Sequence, residues 1–277
     1  MSTALLRFAR ARAALAALLL LALFLLAAAA AAWLWPIDPD APVAAALLPP
    51  LADPAHPLGT DRLGRDLLAR LLAGARTSLL VATGATTAAL LVGVAIGLFA
   101  GAAGGLVDES LMRLVEAFQI VPGFLLALAL VSVFGARLET VVLAIAAASW
   151  PAPARLVRAE VAKLRRAEFV QAARVAGLRW PEVALREILP NALPPVVPMA
   201  ALTVAAAILI EGALAFLGLS DPNRPSWGAM IAEGRAVLVS APWLSLLPGM
   251  ALAATVLAVN LVGEGLAEAL APRRAAA

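Results

Sequence analysis

The sequence has no cysteine and no tyrosine, one histidine and one lysine. Without cysteine there is no disulfide, no thiol nucleophile and no thiolate-bound metal. His56 stands alone, with neither a cysteine nor a second histidine to complete a zinc or nickel set, so no metal site is expected. The single lysine, Lys163, follows Ala162. A phosphate-binding loop needs Gly-Lys followed by Ser or Thr, so the chain has no nucleotide loop of its own. Charged residues make up only 14% of 277 positions, and the few polar groups form no acid–base or nucleophilic constellation. The chain therefore reads as something other than an enzyme.

What is abundant is apolar surface. Hydrophobic residues reach 63%, and mean hydropathy is +0.95. That composition belongs to the membrane. The pI near 10.8 would suggest nucleic acid in a soluble protein. Here the net charge is only +3 and the arginines flank apolar runs, so they read as orientation signals and no nucleic-acid partner is expected.

Six spans follow in order. Arg7, Arg10 and Arg12 precede an uncharged run over 13–36, longer than the ~7–15 residues of a signal-peptide core and so read as a retained crossing. A proline-rich segment, 37–76, ends in an amphipathic stretch with Leu67, Leu68, Leu71 and Leu72 on one face, capped by Thr60 or Asp61; this reads as an interfacial helix. A core of five further spans occupies 77–268: about 79–100, 110–134, 140–156, 193–217 and 242–262, the fourth kinked by Pro151 and Pro153. Gly101, Gly104 and Gly105 read as the turn after the second span, and Gly263-Glu264-Gly265 as the end of the sixth. A tail, 269–277, closes the chain. Apart from Arg155 at the end of the fourth, three ionisable residues fall within the spans. Arg113 and Glu116 lie three apart, placed to face each other near the start of the third; Glu211 lies in the fifth.

Between the fourth and fifth spans lies a charged loop, 159–190. Its segment FVQAARVAGLRWPEVALREILP, Phe169 to Pro190, reads as two short helices. Phe169, Ala172, Ala173 and Ala176 share a face, bulky then small. Gly177 suits a left-handed helix stop, Pro181 the first turn of the next helix, and Pro190 its end. Such a hairpin can pack into another protein's groove, although an ordinary amphipathic loop would show the same periodicity.

Gln171-Ala172-Ala173, three residues, Gly177, then Ile188-Leu189-Pro190 resembles the EAA loop of bacterial ABC importer permeases. Gln171 stands where the family has Glu. Upstream, HPLGTD-x-LGRD (His56 to Asp66, with Gly59, Thr60, Asp61, Gly64, Arg65 and Asp66) resembles a signature of the dipeptide, oligopeptide and nickel subgroup, as does EGALAFLGLS from Glu211. The resemblance covers roughly His56 to Arg273. It implies an all-α integral membrane protein with the type I ABC importer permease fold, acting as the second-type permease of a peptide- or nickel-class importer. It further implies a homologous permease as heterodimer partner, two ATPase subunits carrying ATP and Mg, and an extracytoplasmic solute-binding protein. The coupling residues it implies are Phe169, Val170, Gln171, Ala172, Ala173, Gly177, Ile188, Leu189 and Pro190.

Charge supplies an independent orientation. With both termini inside, fourteen basic residues lie on the cytoplasmic side: three before the first span, Arg113, the eight from Arg155 to Arg186, and Arg273 with Arg274. Seven lie outside, which puts the 159–190 loop in the cytoplasm of a bacterial inner-membrane protein. Two rival readings are weaker. A secondary transporter needs midplane polar groups and internal repeats, and no repeat is evident; a membrane scaffold has no need of a glycine-stopped cytoplasmic hairpin.

Overall fold

The computed structural model describes Phe8 and residues 11–270, so Arg7, Arg10, Arg273 and Arg274 lie outside the described residues. In order the helices are α1 (Arg12–Leu34), α2 (Leu67–Ala103), α3 (Gly105–Ile120), α4 (Gly123–Phe134), α5 (Leu138–Ser149), α6 (Pro151–Leu164), α7 (Glu168–Val175), α8 (Trp180–Glu182), a π-helical turn (Val183–Ile188), α9 (Leu189–Ala192), α10 (Val196–Phe216), α11 (Trp227–Gly234) with a 3-10 turn (Arg235–Val237), and α12 (Trp243–Leu270). Among the described residues there are two isolated bridges and no strand. The helices α1, α2, α10 and α12 are long and apolar enough to cross a membrane. The pairs α3–α4 and α5–α6 complete six crossings if each bent pair counts as one.

The breaks have sequence causes. The third crossing is not the single helix expected over 110–134: α3 and α4 meet at 81°. Pro122 donates no backbone hydrogen bond and forces Val121 out of the helical region, to φ −84° and ψ 126°. The fourth crossing bends by 42° at Trp150–Pro151, as its prolines predict.

Three other expectations change. The amphipathic stretch before the second span is not a separate interfacial helix. It forms the first turns of α2, which runs 37 residues without a break, or about 55 Å against a hydrocarbon core of ~30 Å. Its cap is neither Thr60 nor Asp61 but Asp66, whose carboxylate accepts from Ala69 N at 2.7 Å. Thr60 and Asp61 are engaged in the preceding loop. Gly101 lies inside α2, and Gly263 and Gly265 lie inside α12, which continues to Leu270. These glycines are packing positions: a Cβ on Gly263 would come within 2.7 Å of Ala201, and one on Gly265 would overlap Ala14.

The most extensive helix–helix packing among the described residues is between α2 and α6. Gly93, Gly97 and Gly101 recur every fourth residue on one face of α2. A Cβ on Gly93 would lie 2.7 Å from Pro153 Cβ, on Gly97 2.5 Å from the Ala154 carbonyl, and on Gly101 2.8 Å from Val161. In hydrocarbon there is little hydrophobic drive between helices, so contact at backbone distance supplies the attraction through dispersion. This G-x-x-x-G-x-x-x-G run is visible in the sequence and was not read as an interface there.

A central core joins Ala82 and Ala85 of α2, Val131 of α4, Ile145 of α5 and Ile208 of α10. A second core surrounds the buried Trp227 of α11, with Leu67 and Leu79 of α2 and Leu244 of α12. Trp227 donates its Nε1–H to the Leu71 carbonyl at 3.0 Å and meets Phe24 of α1 edge-on.

Candidate functional site

The site assembles from α6, whose last turn leads through Arg165 and Arg166 into the 168–192 hairpin. Helix α7 ends at Gly177, at φ +89°, where the N–H of Leu178 reaches back to the Ala173 carbonyl at 3.2 Å. The second arm opens at Trp180-Pro181, with Glu182 accepting from Arg179 N at 3.2 Å. Pro190 does not end this arm, as the sequence suggested. It lacks the N–H that an α-helix would send to the Arg186 carbonyl, and the preceding turn widens: Leu189 N bonds Ala184 O, five residues back. The chain stays helical through Ala192, with Asn191 Nδ2 donating to the Glu187 carbonyl at 2.6 Å, and the break comes at Pro194-Pro195.

The nine residues singled out here divide between two roles. Val170 and Ile188 are fully buried, in one apolar core with Val157 and Val161 of α6, Val183, Ala192 and Val196. Ala173 and Leu189 are half-buried; Phe169, Gln171, Ala172, Gly177 and Pro190 are exposed. Gln171 donates Nε2–H to the Arg165 carbonyl at 3.2 Å, a bond that a glutamate in its place could not donate. Trp180 lies beneath the guanidinium groups of Arg165 and Arg174, 5.4 and 5.7 Å from the ring centre. The outward face thus offers Phe169, Ala172, Val175 and Gly177, with Val175 90% exposed and open space above Gly177.

Above the hairpin, both broken spans and α10 enclose an open groove of about 420 Å³. Gln119, Val121 and Pro122 line it at the α3–α4 break, Ser149 and Pro151 at the α5–α6 break, and Thr203 on α10. Arg155 of α6 donates to Gln119 Oε1 at 2.9 Å, and Arg158 grips Asp108 of α3 through Nε at 2.9 Å and through Nη2. Sequence reasoning did not find this groove, because its walls come from three segments brought together only by the two breaks.

Arg113 and Glu116 do not face each other. Arg113 pairs with Glu109, one turn earlier, and Glu116 is exposed on the same amphipathic helix, α3. Glu211 is buried at the meeting of α10, α2 and α11. Ser78 donates to its Oε2 at 3.0 Å and accepts from Trp227 N at 3.3 Å, and the Ser226 hydroxyl is a second hydrogen-bonding neighbour.

The His56–Asp66 motif is a structural clamp at the far end of α2. Asp66 accepts from Trp35 Nε1 at 3.0 Å and from Ala69 N, and holds His56 Nδ1 at 2.7 Å. Thr60 donates to the Ala45 carbonyl at 2.6 Å and accepts from Leu48 N. Gly59 and Gly64, at φ +79° and +76°, leave no room for a side chain against the Leu48 and Ala44 carbonyls. Asp61 accepts from Arg65, and Arg65 and Arg70 both reach Glu233 of α11 at 3.0 Å.

Residues 93–276 match the model of the binding-protein-dependent transport system inner membrane component family. The chain belongs to that family. It is a membrane-spanning transport component, a permease subunit rather than an enzyme, and membership implies that it works with other subunits of an ABC transporter. It is 40% identical over 219 residues to the dipeptide transport system permease protein DppC of Alkalihalophilus pseudofirmus, covering 79% of this chain and 72% of the relative. It is 39% identical over 247 residues to the di/tripeptide permease DppC of Pseudomonas aeruginosa, covering 87% and 82%. To the glutathione permease GsiD of Pectobacterium atrosepticum it is 38% identical, covering 79% and 73%. A chain from inward-facing conformations of the MetNI methionine ABC transporter superposes with a TM-score of 0.61 at 16% identity, over 73% of this chain and 96% of that one. That likeness supports the type I importer permease fold.

Proposed function

We propose that this permease carries peptides or a related small solute, glutathione included, across the bacterial inner membrane, driven by ATP hydrolysed with Mg on two partner ATPase subunits. In this reading both termini and the α7–α9 hairpin are cytoplasmic, a homologous permease completes the pathway, and an extracytoplasmic binding protein delivers the solute. The names of the relatives, which concern dipeptides, di- and tripeptides and glutathione, support the substrate class.

The observation that carries the coupling is one apolar core that joins the hairpin to α6 and α10, two helices that also wall the groove. Val170 and Ile188 pack with Val157 and Val161 of α6 and with Val196 at the start of α10. A displacement applied to the exposed side of α7 is therefore passed to two of the groove's three walls. The ATPases dock there, close on ATP, and tilt α6 and α10 about the Pro151 and Pro194-Pro195 breaks. ATP drives the change only as far as it binds the two conformations with different affinity.

The test is on the assembled transporter. Val175→Glu and Gly177→Trp leave membrane insertion and permease pairing intact but abolish ATPase co-purification and uptake. Gln171→Ala, which removes only one surface hydrogen bond, is milder. Normal uptake by both Val175→Glu and Gly177→Trp would refute docking at this face.

A further inference from the structure

We propose that the cleft between α1 and α2, at the end of the molecule away from the hairpin, binds the phosphate of an anionic phospholipid. The cleft has a volume of about 640 Å³. It is separate from the transport groove and shares no lining residue with it. Its apolar wall is formed by Ala28 of α1 with Leu72 and Leu80 of α2, Leu80 one turn deeper than Arg76 and Leu72 one turn above it. Its upper part holds Trp35, Arg76 and Arg224.

The level of the cleft is set by the sequence of α2. Arg70 and Arg76 are the only charged residues of that helix, and from Thr77 to Ala103 there is none. That uncharged length, about 40 Å, is more than a hydrocarbon core needs. Arg76 therefore sits at the polar boundary on the side where α2 begins. Helix α1 reaches the same boundary: its apolar run gives way at Trp33 and Trp35, side chains that favour the headgroup layer.

Neither Arg76 nor Arg224 has an ion-pair partner among the described residues, and both are exposed. One carboxylate, Asp38, lies on the rim, where it accepts from Asp40 N at 2.9 Å. Two arginines over an apolar trough match a phosphodiester above an acyl chain. Guanidinium is suited to phosphate because its donors are planar and paired. The apolar wall favours a lipid over an acidic protein partner. Ala28 and Leu80 lie on the membrane side of Arg76, below the level a soluble protein reaches, while an acyl chain fills that space at no polar cost. The lipid would fill the wedge between α1 and the start of α2 and brace the loop that carries Arg224.

The test uses the full-length chain with its partner subunits in nanodiscs. Phosphatidylglycerol bearing a diazirine on its acyl chain should label peptides from α1 and the 67–80 region. Phosphatidylcholine with the same diazirine should label them far less. In native mass spectrometry, Arg76→Gln/Arg224→Gln should retain phosphatidylglycerol about tenfold less than wild type, and Arg76→Lys/Arg224→Lys should keep most of it. Arg62→Gln, an exposed arginine in the loop before α2, should have no effect. Equal labelling by the two lipids, an equal loss in Arg62→Gln, or unchanged retention in the double glutamine variant would overturn the proposal. Displacement by millimolar inorganic phosphate would assign the site to a free anion and also overturn it.

Discussion

Asp66 shows how much one buried carboxylate can organise. It caps α2, holds His56 and receives Trp35, so removing it strips three hydrogen bonds and leaves buried donors without acceptors. Asp66→Ala should destabilise the permease by about 2–4 kcal/mol, read as a lowered unfolding temperature in detergent. Asp53→Ala, which frees only the Ala55 N–H at the surface, should change stability by less than about 0.5 kcal/mol. Glu211 gives a graded comparison. Glu211→Gln keeps an oxygen for Ser78 and should be nearly silent in stability. Glu211→Leu leaves the Ser78 and Ser226 hydroxyls without that partner and should cost about 1–3 kcal/mol. If both behave as wild type, Glu211 is merely tolerated.

At the scale of elements, the α2–α6 seam sets the strictest demand on sequence. Gly97→Leu places a branched side chain where even a Cβ meets the Ala154 carbonyl at 2.5 Å. We expect loss of about 3 kcal/mol or more, with poor membrane yield. Gly84→Leu, on the same helix, should be much milder, because a Cβ there finds only ordinary contact with Val142, no closer than 3.5 Å. The crossings were legible because an uncharged run of sufficient length has few alternatives. The third was misjudged because 117–134 carries no charge and runs the end of α3 into α4, and only the proline at 122 marks the break. The hairpin was legible as two arms with a glycine stop. Which of its residues face outward was not, because α6 decides that: Val170 and Ile188 look as available as Phe169 until Val157 and Val161 are placed against them. The clamp motif was visible as a signature, yet its bonds run to Trp35, Ala45, Leu48 and Glu233, at separations no local pattern encodes.

At the scale of the whole molecule, the hairpin and the clamp occupy opposite ends of α2, and the groove lies between them. Glu233 receives both Arg65 and Arg70, and Arg70 is almost completely buried. Glu233→Gln keeps hydrogen bonding but removes the one counter-charge that α11 supplies to this junction, leaving Asp61 and Asp40. We expect ATPase co-purification to persist, since the hairpin is untouched, while solute-stimulated hydrolysis falls severalfold. An unchanged stimulation would show that this end plays no part in the cycle.

Two helices touching backbone to backbone have no side-chain layer to slide on. Whatever stroke reaches α6 must drag α2 with it, as a single rod of 37 residues. Its far tip is bolted to α11 by Trp227 and to the loop before it by Asp66. The two mouths of the transporter are then geared together without an intervening joint. On the coupling proposed above, opening at one face would be the same motion as closing at the other, and stiffness alone would bar a leak through both at once.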